Sequence, residues 1–404
     1  MHSTNKPLFY IFSFLMALVF FKSMYLSVLW DVNSNILYSL TIITGFLYFS
    51  SSNLKLTKKP AYIIAVLFAL LSILFPFISS SAIYIISVVM HVFVIYLVLS
   101  LPNYDKYRLL KYITIVFSVI MTLSLVFYLI MLLGFNLPNY GMISFNEGQY
   151  TYINYGLLLR NMDNITDFYR FNSVFLEPGH IAMIASFLLF ANGYRFKGNK
   201  YLIPILIALI ASFSLAGYVL LVIGILLHLL SESKTNVAII RTILLLTVLY
   251  ATYYIAIDYN NGHNLINEKI IERLIPDEEK FIIGNNRTTQ IVDNYYEDAV
   301  KSGEIIVGLS EKYNILRQEE KRFNGAGYKM YLLQKGVVGT LFVFLFYFFM
   351  SRGAYDRRRL FLMLLLYTAS FLQRAYPIWD AWIITFICAD AFYTARLNLN
   401  RLKK

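Results

Sequence analysis

The chain has 404 residues, 58% of them hydrophobic and only 14% charged, with a formal net charge of +12. Its mean hydropathy of +0.61 means more apolar surface than a water-soluble core can hide, so one polytopic membrane domain, 1–404, is expected rather than a string of soluble ones. The Lys and Arg residues stand in short clusters between apolar stretches and form no basic face, which argues against nucleic acid as a partner.

The single cysteine, Cys388, rules out an internal disulfide framework and a cysteine-cluster metal site. The five histidines, His2, His91, His180, His228 and His263, have no metal-ligand spacing, so no metal or cofactor is expected. A bilayer-crossing helix needs about 20 apolar residues. On that rule the chain is all-α, with about twelve spans near 8–29, 34–51, 61–79, 81–101, 112–135, 173–194, 201–213, 216–231, 238–257, 329–350, 359–373 and 377–396. The first is long and lacks a small-residue cleavage site, so it reads as an anchor and not as a removed leader.

The basic residues orient these spans. Lys55, Lys58 and Lys59 mark the second connection, and Lys106, Arg108 and Lys111 the fourth. Arg195, Lys197 and Lys200 mark the sixth, Arg352 and Arg357–Arg359 the tenth, and Arg401, Lys403 and Lys404 close the chain. The short odd-numbered connections are nearly free of Lys and Arg. By the positive-inside rule both termini are cytoplasmic, and the two long segments, 136–172 and 258–328, face outward. One joint decides this. If 201–231 were a single tilted helix, everything downstream would invert and put Arg357–Arg359 outside. The charge rule therefore favours a hairpin broken around Ser212–Gly217, where two serines and a glycine can turn inside protein.

Several positions can carry chemistry. In the first outer connection Asp31 is an isolated acid. In the first long loop Arg160 and Arg170 are the only cations. Each is either a planar fork for phosphate or a solvated side chain. The sharpest local feature is Arg170-Phe-Asn-Ser-Val-Phe-Leu-Glu177-Pro178-Gly179-His180. Pro178 disfavours helix at Glu177 and suits a first helical turn. The helix is therefore expected to begin near Pro178, with Arg170–Glu177 as irregular backbone. Glu177 is then a functional acid, or a carboxylate complementing the helix N-terminus. His180 is a second candidate, equally readable as a packing residue. The second long loop alternates acids and bases. It is expected to hold amphipathic helices at 264–275 and from Thr288 to Lys301, with Arg287 just before the latter. Further on, Arg374 and Tyr376 lie in a short outer connection near Asp380, where an Arg374–Asp380 structural pair is the simpler account and substrate contact the sharper one. Lys335 and Asp390 are the other charges inside the late spans.

The Arg170 to Glu177-Pro178 segment, the stretch Gly325-Ala-Gly327-Tyr-Lys-Met-Tyr-Leu-Leu-Gln-Lys-Gly336-Val-Val-Gly339 and the order of spans and loops together resemble the bacterial O-antigen polymerase family, to which the O-antigen ligases are related. Ligases tend to carry a histidine before the later glycine-rich span, and none lies between Gly325 and Gly339. The resemblance implies metal-independent glycosyl transfer at the outer face of the bacterial inner membrane. In it, a glycan on undecaprenyl diphosphate moves onto the terminal sugar of an incoming lipid-linked repeat unit, building O-antigen or capsular polysaccharide. It implies loop arginines as substrate ligands, with Arg170 matching the one before the Glu-Pro helix and Arg287 best placed in the second loop. It also implies a polysaccharide chain-length regulator as a possible protein partner. The leaving diphosphate needs fixed cations and the acceptor hydroxyl a base, for which Glu177 comes first and His180 second. A flippase or other transporter for the same lipid-linked oligosaccharide is the competing class. The size of the second loop argues against it.

Overall fold

Apolar runs of this length leave backbone groups no water to bond with, so they must satisfy one another, and helices do so within a single segment. The computed structural model describes residues 5–76, 81–145, 150–162, 170–232, 235–264, 267, 271, 289–319, 325–374 and 376–392. Among them are fourteen α-helices. The first five are α1 (Lys6–Ser23), α2 (Ser34–Ser51), α3 (Pro60–Leu74), α4 (Ala82–Ser100) and α5 (Asn103–Leu132). After the first long loop come α6 (Pro178–Ala191), α7 (Leu202–Ala211), α8 (Leu215–Glu232) and α9 (Thr235–Asp258). The second long loop holds α10 (Gln290–Ser302) and α11 (Glu311–Glu319). It is followed by α12 (Gly327–Gly353), α13 (Arg357–Gln373) and α14 (Asp380–Ala389).

Each of the twelve apolar stretches contains one of these helices. Five helices or helix segments, in α1, α4, α5, α9 and α12, are long and apolar enough to cross a membrane. Large apolar side chains such as Ile43, Phe46, Leu47, Val119, Leu123 and Val126 point outward from mid-helix, an arrangement that suits lipid and not water. The framework is thus helical, and five of its helices have the length and composition of membrane spans.

The boundaries differ from expectation where tertiary contacts intervene. The first apolar stretch does not run to 29. Its helix stops at Ser23, a turn follows, and Ser27–Leu29 form a short 3-10 segment whose first N–H donates to the Val174 carbonyl at 3.0 Å. The fifth helix begins at Asn103, so Lys106, Arg108 and Lys111 lie on its first turns and not in a connection. The stretch 201–231 is two helices. Phe213 adopts a left-handed φ of 44° between them. Both pack on α6: the α6 Ser186 hydroxyl donates to the Gly217 carbonyl, and α8 Gly224 meets Tyr194 just beyond the far end of α6. α8 therefore runs parallel to α6, while α7 ends beside Phe171, whose N–H donates to the Ala211 carbonyl. The expected helical hairpin is present.

The first long loop also holds a small antiparallel sheet, which an all-helical reading does not foresee. It comprises β1 (Met142–Phe145), β2 (Tyr150–Asn154) and β3 (Leu159–Asn161), ordered β1-β2-β3. The second loop is docked on α12. Val292, Ala299, Leu309, Tyr313 and Leu316 form a small apolar core with Leu333. At the docking point Gly336 has φ 67° and ψ −179°, a region open in practice only to glycine. A Cβ there would sit 2.4 Å from the Val307 carbonyl carbon, and one on Gly308 would lie 2.6 Å from the Gly336 nitrogen. The expected helix at Thr288–Lys301 is observed as α10, whereas 264–275 lies almost wholly outside the described residues.

Candidate functional site

The site is built at the end of the bundle where α6 and α14 begin. The residues before α6 are irregular, as the proline predicts, but they are tightly held. The Tyr152 hydroxyl of β2 donates to the Leu176 carbonyl at 2.6 Å, and the Leu159 N–H to the Ser173 carbonyl at 2.8 Å. Leu26 pairs with Phe175 in an isolated β-bridge. The sheet and the end of α1 thus clamp the backbone that delivers Glu177.

Glu177 is the N-cap residue of α6, with φ −141° and ψ 145°, and Pro178 is the first helical residue. Its side chain makes no capping hydrogen bond. The carboxylate forms an ion pair with Arg374, which follows α13. This corrects the expected Arg374–Asp380 pair: Asp380 is engaged by Tyr38 and His91. Arg374 also lies flat over the start of α6, where a Cβ on Gly179 would come within 3.0–3.2 Å of three guanidinium atoms. Burial alone would loosen the Arg374 proton. The Glu177 carboxylate and the Tyr376 phenol outweigh that and raise its pKa above the ordinary arginine value. Burial, helped by Glu177, likewise pushes the Tyr150 phenol up.

One turn into α6, His180 is 3% exposed and boxed by aromatic rings. Trp379 lies edge-on at 5.0 Å, Tyr376 at 5.6 Å and Tyr25 at 5.9 Å between centroids. Trp379 and Tyr376 stack at 3.9 Å. Among the described residues neither His180 ring nitrogen has a hydrogen-bond partner. A buried imidazole without partners is costly, which suits a position that meets a ligand group better than one that only packs.

The structure therefore brings together Glu177, His180, Arg374 and Tyr376, four of the residues singled out from sequence. Arg170 sits at the hairpin break, its Nε donating to the Ser212 carbonyl at 3.0 Å. Arg160 lies on β3 opposite Ile153, and Arg287 lies outside the described residues. A cation that sequence reasoning missed is Arg317 on α11. It is exposed, and its charge acts on Tyr25, Tyr150 and Tyr313, so it faces the site from the second loop. The sequence predicts no helix there, and only the alternation of acids and bases in the large loop hints at it. Asp31 acts electrostatically on Lys22 near the end of α1.

The two carboxylates of this region share a design. Glu177 opens α6 and Asp380 opens α14, and both helices are buried along almost their whole length. A helix N-terminus favours negative charge, which lets acids sit where apolar packing would otherwise exclude them. The fold and the site define a mainly helical protein with helices of membrane-crossing length, an acid–cation pair and an aromatic-boxed imidazole beside two folded loops. No protein family, curated protein or solved structure matches the chain.

Proposed function

We propose that the chain is a membrane glycosyltransferase that polymerises undecaprenyl-diphosphate-linked oligosaccharide repeat units into O-antigen or capsular polysaccharide. In this reading the twelve apolar helices are twelve spans, both termini are cytoplasmic, and the site end faces outward from the bacterial inner membrane. The observation that carries the reading is the ion pair of Glu177 with Arg374, set beside His180 at the loop-covered end of the bundle. A diphosphate leaving without a metal needs fixed positive charge aimed at it. Arg374 is such a charge, with Arg317 on the second loop and Arg170 and Arg160 on the first. The acceptor hydroxyl needs a base, and Glu177 and His180 are the groups at hand. The rings of Tyr25, Tyr376 and Trp379 offer the flat faces on which sugars pack.

The test is the gel profile of surface and lipid-linked glycan in a deletion strain. A single repeat unit on the lipid core, with no ladder, supports a polymerase. Polymer still growing on undecaprenyl diphosphate but absent from the core means a ligase. Repeat units trapped on the cytoplasmic leaflet mean a flippase, and either of these outcomes replaces the reading.

A further inference from the structure

A second constellation of polar groups lies beside the ion pair. A cavity of about 270 Å3 opens between α1, α2, α4 and α14, lined by Lys22, Tyr25, Tyr38, His91, Trp379 and Asp380 among others. Asp380 is 5% exposed. Its Oδ2 accepts from the Tyr38 hydroxyl at 2.9 Å, and its Oδ1 lies 2.9 Å from His91 Nε2. The Tyr38 and His91 rings stack at 5.3 Å with only 4° between their planes. Lys22 is held by the Leu29 and Trp30 carbonyls at 2.6 Å each, and the Ser23 hydroxyl accepts from the Ala381 N–H at 3.0 Å.

Packing alone does not account for this. His91 sits mid-helix in one of the most apolar helices of the chain, where an ionisable residue is costly and marks a functional position by default. Three helices far apart in sequence supply an imidazole, a phenol and a carboxylate to one wall of one cavity. The chemistry of that wall narrows the occupant. A phosphate would meet the Asp380 carboxylate, and a lipid chain would lie against Lys22, Asp380 and His91 without using any donor or acceptor of that wall. A neutral polyol suits it, because the wall offers acceptors and donors together with aromatic faces. The volume is just below the roughly 300–1,000 Å3 of ordinary small-ligand clefts, so one sugar ring fits and an oligosaccharide does not. Tyr25 and Trp379 belong both to this cavity and to the box around His180, which makes the two compartments neighbours across one aromatic wall.

We propose that this cavity is a saccharide subsite, in which sugar hydroxyls bond to Asp380, His91 and Tyr38 and the ring lies against Trp379 and Tyr25. Its assignment to the acceptor sugar rests on the glycosyl-transfer reading above; sugar binding itself does not. The experiment uses the full chain in lipid nanodiscs titrated with free glucose, galactose, N-acetylglucosamine and N-acetylgalactosamine, read by saturation-transfer NMR. At least one sugar binds saturably, and Asp380→Asn and His91→Gln each weaken it tenfold or more, with Tyr38→Phe between them and the parent. Ser34→Phe, which narrows the cavity without touching the polar triad, abolishes the signal while the chain stays folded. If none of the four sugars binds saturably, or if binding survives both Asp380→Asn and His91→Gln, the subsite is wrong. Sugar binding that Asp380→Asn removes, in a protein whose deletion leaves the glycan ladder intact, upholds the subsite and overturns the polymerase.

Discussion

The ion pair between Glu177 and Arg374 makes the sharpest test, because it joins two elements that nothing in their sequence neighbourhoods connects. Their side chains keep 28% and 19% of their exposure. A solvent-exposed pair contributes about 0–1 kcal/mol, and removing one member of a fully buried pair costs about 3–5 kcal/mol. A mostly hidden pair falls between, so Glu177→Gln and Arg374→Gln should each cost about 2 kcal/mol of stability. The double substitution leaves no unpaired charge, so it should cost less than the sum, with a coupling of about 1–1.5 kcal/mol. The assay is reversible unfolding of the four proteins in mixed micelles, with each chain's glycan ladder scored in the deletion strain. Both single variants should lose the ladder, and the double variant, at about 2.5–3 kcal/mol, should fall short of the summed loss without recovering activity. Strict additivity, with each single below about 0.5 kcal/mol, would refute the pairing and with it the placement of Arg374 over α6.

Gly336→Ala places a side chain where backbone passes within 2.4 Å and φ is 67°. It should destabilise by about 2 kcal/mol or more, read as increased proteolysis of the second loop, and parent-like resistance would sink the docking geometry. Gly179→Ala adds a methyl 3.0 Å from the Arg374 guanidinium. Displacing that cation by a few tenths of an ångström should shorten the ladder about tenfold with little loss of protein, whereas an unchanged ladder would detach Arg374 from the reaction. Arg317→Ala should lower polymer output about tenfold, partly restored by Arg317→Lys, since a point charge replaces a fork. Full output in the alanine variant would leave Arg317 a solvated residue. Lys301→Cys, on an exposed stretch of α10, should react with a membrane-impermeant thiol reagent in intact spheroplasts. Protection until the membrane is broken would reverse the orientation.

The framework was legible because its causes are local. Apolar runs mark twelve of the helices, five of them long and apolar enough to cross a membrane, and Pro178 marks the start of α6 because a residue without an N–H suits the first helical turn. The break at Ser212–Ser214 showed as polarity inside an apolar run. The site was legible only in part. Glu177, His180, Arg374 and Tyr376 stood out as polar groups in apolar surroundings, but the partner of Arg374 did not. Asp380 was the acid nearest in sequence, yet folding brought Glu177 to the guanidinium and sent Asp380 to His91 and Tyr38. Tyr38 is one of several hydroxyl-bearing residues on α2, and nothing near His91 in the sequence points to Asp380. The sheet escaped notice because its strands are three to five residues long, too short for alternation to rise above a loop's composition. Lys106, Arg108 and Lys111 looked like a connection because charge usually ends a span, although the helix continues with Lys111 reaching outward and Lys106 buried over the Tyr62 ring.

The shortness of α6 sets the depth at which a substrate must be met. Fourteen residues rise about 21 Å, against a hydrocarbon thickness of about 30 Å. Because almost none of that helix touches lipid, the mismatch needs no thinning of the bilayer. The difference of roughly 9 Å falls to the chain beyond its two ends, where the backbone before Pro178 is held by Tyr152 and Leu159 inside protein. Under the proposed reading, a lipid-linked donor would meet Glu177 at a helix start set back from the membrane surface while its isoprenoid tail stays in the bilayer. Lifting the tail clear would cost about 0.8 kcal/mol for each methylene withdrawn, a cost that such a setting back would spare.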